Sequence, residues 1–184
     1  MITLSRNEAT KLLNKFWNKT KKEWFKVETL QDYTAEDIGP SLQSWLNGNK
    51  ENSIRLMLKD TNKQEWVEQA KNSLFKKIRI HIAEQPYTSY LEWEIEHYKH
   101  LNIPLGDEEV YLVNKKDVAN LDLPDRDFMV FDQKRVAKNY YDSHGLAYQM
   151  DFYDWDQGDD ISQFLSCRVK LLKKISELQP IQKS

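Results

Sequence analysis

The chain has 184 residues, with 27 basic and 29 acidic side chains and a formal net charge of -2. This balance excludes a strong field over the whole protein as the means of attracting nucleic acid or a membrane surface. The five glycines form none of the glycine-rich loops that cradle phosphates, and a single cysteine, Cys167, excludes an internal disulfide. Length and composition together predict a single domain over residues 1–184.

The N-terminal part of the sequence carries helical patterns. Ser5 and Glu8 have the spacing of a capping box, and apolar residues then recur at helical intervals. Pro40 suits the first turn of a further helix. Asn62 can cap another one. We therefore predict that residues 1–76 form a helical part.

The apolar period changes near residue 77, where a sheet-containing part over residues 77–179 is predicted. Residues 78–83 alternate between apolar and polar side chains, as a strand with one buried face does. With the helix predicted at 89–101 and the strand at 109–113, they form a β-α-β crossover. Short apolar segments with tight turns at 127–153 predict an antiparallel meander of three strands.

The predicted fold is α+β. N-terminal helices pack on a small mixed β-sheet of about five strands, which includes the antiparallel meander, and a C-terminal helix capped by Asp159 or Asp160 closes the structure. The first residues lack the pattern of a signal peptide, and no stretch of about 18 apolar residues occurs. We therefore expect a cytoplasmic protein that does not contact a membrane.

Three segments, residues 77–86, 123–132 and 140–145, resemble those of an uncharacterised bacterial family known as a domain of unknown function, the DUF6879-like family. The resemblance covers roughly residues 77–150 and, more faintly, 28–48. Members are often encoded beside helix-turn-helix regulators, so the resemblance implies a regulatory setting in which another protein, such as one of those regulators, is the partner. It implies no catalytic residues.

Five polar residues are candidates for a binding site, namely Arg79, His81, Glu84, Glu94 and Asp132. Arg79 and His81 share one face of the first predicted strand, and Glu84 lies just past its end. Binding sites often lie at strand ends in open sheets. If no helix covers this face, the five side chains line a polar pocket. The alternative is an exposed sheet face with paired charges.

Metal binding is not predicted. The acidic residues between Asp151 and Asp160 loosely resemble a calcium loop, but they lack its regular ligand spacing and its final bidentate Glu. The alternative is a turn whose last Asp caps a helix. Glu94 and His97 form a Glu-x-x-His pair, but neither the di-iron nor the zinc-protease pattern is complete. We therefore predict no metal, no cofactor and no catalytic residues.

Three functions are compatible with the sequence. The first is a non-enzymatic bacterial regulatory or protein-binding module. The second is a small enzyme that acts on nucleic acid or a phosphorylated ligand through the candidate polar face. The third is nucleic-acid binding through the Lys11–Lys26 segment, where Trp24 lies among lysines and could stack on a base. A concave pocket holding at least three of the candidates would favour the enzyme, and lysines on a single surface would favour nucleic-acid binding.

Overall fold

A seven-stranded mixed sheet runs through the part of the chain that the computed structural model describes, which is residues 1–33, 39–60 and 68–184. The order of strands across the sheet is β1-β7-β6-β5-β2-β3-β4. Strands β2, β3 and β4 are mutually parallel, and the remaining neighbours pair antiparallel. The strands are β1 Ile2–Ser5, β2 Glu23–Glu28, β3 Lys76–Ala83, β4 Glu108–Asn114, β5 Phe128–Phe131, β6 Arg135–Tyr141 and β7 Ala147–Asp154.

Helices cover both faces of this sheet. The capping box of Ser5 and Glu8 is present at the start of the first helix. Within the described ranges the helices are α1 Arg6–Lys19, α2 Pro40–Leu46, α3 Lys50–Lys59, a helical stretch at 68–71, α4 Ser89–His97 and α5 Ser162–Ile175. A π-helix, Tyr98–Asn102, continues α4, and short 3-10 turns occupy Lys115–Val118 and Trp155–Gln157.

One face of the sheet, here named the α5 face, is apolar. Alternate side chains of the strands, such as Phe25, Ile80 and Val130, pack there against Phe164 and Leu171 of α5. All five side chains are buried. This layer is a hydrocarbon core of the kind that supplies most of the free energy of folding.

The opposite face, here named the cleft face, is covered by two separate groups of helices. Helix α1 packs Phe16 and Trp17 against the aromatic side chains of Trp24 and Phe131. Helices α2, α3 and α4 pack on one another, and the π-helix reaches the sheet through Tyr98. Lys26 and Arg79 line the space on both sides of the division between the two groups.

The prediction of N-terminal helices on a sheet of about five strands is wrong, because strands are spread through the whole chain and number seven. Two of them, β1 and β2, lie within the predicted helical part. Strand β1 is a mostly exposed edge strand of four residues, too short to show an alternating pattern. Strand β2 is buried on both faces and carries Lys26 and Glu28 on one of them, so its pattern resembles the charged tail of a helix.

The later elements agree with the sequence patterns. Strands β5, β6 and β7 form the antiparallel meander, and β3 and β4 pair in parallel on either side of α4. The helix start at Asn62 lies outside the described residues. None of the helices in the described ranges combines the length and the apolar character that a bilayer span requires.

Candidate functional site

Charged side chains are buried in the middle of the cleft face. Strands β2, β3 and β4 direct six ionisable groups onto it, which are Lys26, Glu28, Lys77, Arg79, His81 and Glu108. Lys77 lies to one side, where its Nζ donates to the carbonyl oxygen of Ser73 at 3.1 Å. All are buried except Lys26, whose side chain is 19% exposed. Burial of charge is costly unless the charges are paired and hydrogen-bonded, and these side chains satisfy one another through the contacts described next.

Arg79 is the centre of this network. Its Nε donates to Glu108 at 2.8 Å, and its Nη1 donates to both carboxylate oxygens of Glu28 at 3.0 and 2.8 Å. The guanidinium lies 5.4 Å from the ring of Trp24 and 5.3 Å from that of Tyr98, within the range of cation–π attraction. Burial alone would lower the pKa of Arg79, but the two carboxylates raise it well above its usual value.

The Glu28 carboxylate also receives a second cation. Lys26 donates to its Oε1 at 2.5 Å. Burial would raise the pKa of Glu28, but Arg79 and Lys26 outweigh that effect and lower the pKa far below its usual value. Two cations and two carboxylates, counting Glu108, therefore balance one another in the network.

His81 and Tyr98 add a chain of neutral groups. The Nε2 of His81 lies 2.7 Å from the carbonyl oxygen of Leu30, which can only accept, so this nitrogen carries a proton. Burial is the main cause that lowers the pKa of His81, so Nδ1 is an acceptor at neutral pH. The Tyr98 hydroxyl lies 2.9 Å from that Nδ1 and 3.0 Å from Glu28, and its single proton can go to either.

Glu94 of α4 has one unsatisfied carboxylate oxygen, although hydrogen bonding with the Tyr98 hydroxyl tends to lower its pKa. Its Oε2 is buried and has no hydrogen-bond partner among the described residues. The nearest cation-forming group, Nδ1 of His81, lies 3.6 Å away, beyond the range of a hydrogen bond. Burial, and then repulsion from Glu28, raise the pKa of Glu94 to about 8. The carboxyl group is therefore mostly protonated at neutral pH.

A cleft of about 400 Å³ opens beside this carboxyl group. That volume falls within the range of pockets that hold small molecules. Aromatic rings from α4 and the π-helix form part of its wall, with Tyr90 and Trp93 packed edge to face at 5.4 Å. Its lining residues are Lys26, Glu28, Asp60, Arg79, Tyr90, Trp93, Glu94, His97, Tyr98 and Asn102.

The π-helix brings three of these residues to the same side. Glu94, Tyr98 and Asn102 follow one another at intervals of four residues. Four residues overshoot one turn of an α-helix, which has 3.6, but fall short of a wider π turn, so the angular drift cancels. The wide turn is closed by the bond from the N–H of Ile103 to the carbonyl of Tyr98. Asn102 thereby reaches Glu108, to which its Nδ2 donates at 3.2 Å.

A second buried carboxylate, Asp127, lies next to the network and is fully satisfied. It accepts hydrogen bonds from the N–H and the hydroxyl of Thr29 and from the hydroxyls of Tyr33 and Tyr141, each at 2.8 Å. Burial and the charge of Glu28 nevertheless raise its pKa. This group fixes the chain after β2 against the sheet, and it is a structural support for the cleft wall.

The five predicted site residues lie in three places. Arg79, His81 and Glu94 come together in the network. Helix α4 and its π-helix cover this face of the sheet, a question that the sequence prediction had not decided. Glu84 lies beyond the end of β3 and does not line the cleft. Its partly exposed carboxylate pairs with Lys116 at 2.9 Å, and hydrogen bonding to that lysine lowers its pKa.

Asp132 also lies away from the cleft, in the turn between β5 and β6. It accepts hydrogen bonds from the backbone N–H groups of Lys21, Lys22 and Glu23 at 2.8, 2.7 and 3.1 Å. Burial would raise its pKa, but these N–H groups lower it. Asp132 therefore fixes the entry to β2 and contributes nothing to a pocket.

The sequence prediction missed Glu28, Tyr98 and Glu108, which hold Arg79 in place. Glu28 lies on a strand that was not predicted, Glu108 lies just before the predicted strand at 109–113, and Tyr98 looked like part of an apolar helical stripe. The signal that could have found Glu28 is the alternation of Trp24 and Lys26 with apolar neighbours, which predicts a strand through residues 23–28.

The carboxylates of the acidic segment between Asp151 and Asp160 include two with hydrogen-bond partners inside the protein. In the acidic segment, Asp151 accepts from the hydroxyls of Thr3 and Tyr140, and Asp160 accepts from the N–H of Ser162 at the start of α5. Across the described ranges, no group of three His, Cys, Asp or Glu side chains is placed to hold a metal ion.

In the Lys11–Lys26 segment, Lys11, Lys15 and Lys19 are exposed along one side of α1. Trp24, however, is 4% exposed and packs against Trp17 and Arg79. It is not accessible for stacking on a base. Lys26 is engaged with Glu28 in the network rather than directed towards solvent. The segment therefore divides between an exposed lysine stripe and the interior of the cleft face.

The chain belongs to the family described as a domain of unknown function (DUF6879), whose model matches residues 11–174. The resemblance carried by the three sequence segments is thereby confirmed. No curated protein and no solved structure shows a significant match to the chain.

Proposed function

We propose that this member of the DUF6879 family is a non-enzymatic binding module whose cleft holds a small molecule with a positively charged nitrogen. One observation carries the proposal. The Oε2 of Glu94 is buried without a hydrogen-bond partner among the described residues, beside a cleft of about 400 Å³. A buried polar atom of this kind calls for an explanation, and a ligand that supplies the missing donor is the simplest one.

The charges around Glu94 favour a cation. Lys26 and Arg79 are paired with Glu28 and Glu108, and their charges only partly offset the burial of Glu94. An ammonium group beside Glu94 would stabilise its ionised form. The pKa, now raised by burial and by Glu28, would fall, and binding would release a proton. The rings of Tyr90 and Trp93 would attract the same ammonium group through their faces.

The environments of Cys167 and Tyr98 favour ligand binding over nucleophilic catalysis by these two side chains. Cys167 is buried on the α5 face, where burial raises its pKa to about 12. Tyr98 is held between His81 and Glu28, and burial raises its pKa well above its usual value. Neither side chain is poised to attack a substrate in the cleft.

The regulatory setting implied by the sequence resemblance belongs to the same proposal. The chain would act in the bacterial cytoplasm, and a protein partner such as a helix-turn-helix regulator would recognise its ligand-bound form. The walls of the cleft come from α4, the π-helix, the strands β2 and β3 and Asp60 after α3, so a ligand would connect these elements and stabilise them as a unit.

The small-enzyme alternative is favoured by one observation. A carboxyl group with a pKa of about 8, beside the neutral imidazole of His81, suits a general acid. If Glu94 serves in that way, a generic phosphodiester is hydrolysed by the wild type and the Glu94→Gln variant is inactive. Such turnover would replace the binding proposal.

The test is titration of the protein with methylammonium chloride, followed by NMR shifts of the Trp93 indole and checked against sodium chloride at equal concentration. We expect saturable binding that weakens at least tenfold in Glu94→Gln. The matched control is Glu92→Gln, an exposed acid on the same helix, which should bind as the wild type does. Shifts that are absent, or equal with sodium chloride, would overturn the proposal.

A further inference from the structure

A second compartment lies on the cleft face, between α1 and the sheet, and has a volume of about 370 Å³. The indole of Trp24 lines it, and the Nε1–H of this indole is buried without a hydrogen-bond acceptor among the described residues. Trp24 is 4% exposed, so this donor is desolvated. A buried donor without a partner calls for an explanation of its own.

The Trp24 indole is held in place by its neighbours. The ring of Trp17 from α1 packs against it edge to face at 5.5 Å, and the Arg79 guanidinium lies 5.4 Å from its ring. Strand pairing sets Trp24 beside Phe131 of β5 and Lys77 of β3. The indole is thus fixed between a helix and the charged network, and its N–H cannot turn to another acceptor without breaking these contacts.

The mouth of the compartment is polar. Arg6, Thr10 and Asn14 of α1 line it and are exposed. Because they recur every four residues, they lie along one side of the helix. Asn139 of β6 and Gln69 add two carboxamides to the lining, and a carboxamide can donate as well as accept a hydrogen bond. A ligand with acceptor oxygens would therefore meet donors from several elements.

The charges that line the compartment favour an anion. Its charged lining residues, Arg6, Lys26 and Arg79, are all cations, and no Asp or Glu is among the described residues that line it. The cleft, by contrast, is lined by three carboxylic acids. Lys26 and Arg79 are already paired with carboxylates of the network, so Arg6 is the cation that a ligand in this compartment would engage.

We infer that the compartment under α1 binds a small carboxylate, which accepts a hydrogen bond from the Nε1–H of Trp24 and pairs with Arg6 at the mouth. An ionised carboxylate has two acceptor oxygens and no donor, so it suits a site that offers an unpaired N–H and a cation. Its charge also strengthens the hydrogen bond relative to that of a neutral carbonyl. This site takes a ligand of opposite charge to that of the cleft, and it does not rest on the proposed function.

The test follows the indole N–H signal of Trp24 by NMR while the whole chain is titrated with sodium acetate, with sodium chloride at equal ionic strength as the reference. We expect a saturable shift with acetate that chloride does not produce. Arg6→Gln, at an exposed position, should weaken acetate binding about threefold. The matched control is Lys11→Gln, an exposed cation of α1 away from the compartment, which should bind acetate as the wild type does.

A second variant tests the indole directly. Trp24→Phe keeps an aromatic ring and removes the N–H, so it should weaken acetate binding about tenfold. Binding is then followed through the indole signal of Trp17, which also lines the compartment. Thermal unfolding checks that the variant is folded. If it is not, the comparison of Arg6→Gln with Lys11→Gln decides.

The outcomes separate this site from the cleft. Glu94→Gln should bind acetate as the wild type does, because Glu94 is already mostly protonated at neutral pH. Equal shifts with acetate and chloride, or equal weakening by Arg6→Gln and Lys11→Gln, would overturn the inference and leave the proposed function standing. Acetate binding in a protein that does not bind methylammonium would overturn the proposed function and support this inference.

Discussion

The two faces of the sheet bury side chains of opposite character. The α5 face buries aliphatic and aromatic side chains such as Leu171 against α5. The cleft face buries an arginine and its carboxylates, leaves one carboxylate oxygen without a hydrogen-bond partner among the described residues, and keeps a cleft beside the network. Hydrocarbon packing stabilises without specifying a ligand, whereas a buried polar network is stable only when every member is satisfied. The α5 face is thus stabilised by hydrocarbon packing, whereas the cleft face combines a stabilising charged network with the proposed recognition site.

The largest effect should come from the centre of the network. Replacing Arg79 by Met removes the cation that faces both Glu28 and Glu108, and it leaves buried carboxylates without their counter-charge. We expect a loss of about 3–5 kcal/mol in the free energy of unfolding, measured by urea denaturation. The control is Lys116→Met, at an exposed ion pair with Glu84, for which no measurable loss is expected. A small loss for Arg79→Met would show that the network tolerates unpaired charge.

The next effect tests the α5 face. Leu171 is fully buried, so Leu171→Ala should create a cavity and cost about 3 kcal/mol of unfolding free energy. Because α5 lies on the other side of the sheet from the cleft, the affinity for methylammonium should not change. Val169→Ala, on the exposed side of the same helix, should alter stability by less than about 0.5 kcal/mol. A change in affinity for Leu171→Ala would break the division of roles between the faces.

The smallest effect concerns the pH dependence of stability. Burial and Glu28 raise the pKa of Glu94 from 4.5 to about 8 in the folded protein. Folding therefore takes up a proton between these two values, and the wild type loses stability as pH rises through this window. Glu94→Gln removes the effect. We expect the variant to gain on the order of 2 kcal/mol relative to the wild type between pH 5 and pH 6.5.

Denaturation of both proteins across this pH range measures the difference. The other ionisable groups that face Glu94 are present in both proteins, so their contributions largely cancel; they are Lys26, Glu28, Tyr33, Arg79, His81, Tyr90 and Tyr98. Parallel stability curves for the two proteins would mean that Glu94 is ionised in the fold.

The sequence predicted elements whose patterns are local. The β5–β7 meander and the β3–α4–β4 unit follow from alternation, helical spacing and turn residues that lie close together in the chain. Strand β2 was missed because its pairing with β5 and β3 joins residues far apart, and because Lys26 and Glu28 are buried where charge normally indicates exposure. Burial of charge depends on partners that only the tertiary structure supplies.

The candidate site shows the same limit. Arg79 and His81 were predicted together because they share one face of a strand, and Glu94 was included from the helix that follows this strand. Glu84 and Asp132 were included because they stand at strand ends, where backbone N–H groups and exposed lysines satisfy them instead. Nearness along a strand was informative, whereas position at a strand end was not.

The π-helix after α4 sets the angular phase of the cleft wall. Its wide turn holds one residue more than a regular turn would, so it is equivalent to a single-residue insertion in α4. If the same residues wound as a regular α-helix, everything after the turn would rotate by about 100°, and Asn102 would leave Glu108. Deleting one residue together with the wide turn would restore the phase. The wide turn therefore compensates for one extra residue in the wall of the cleft.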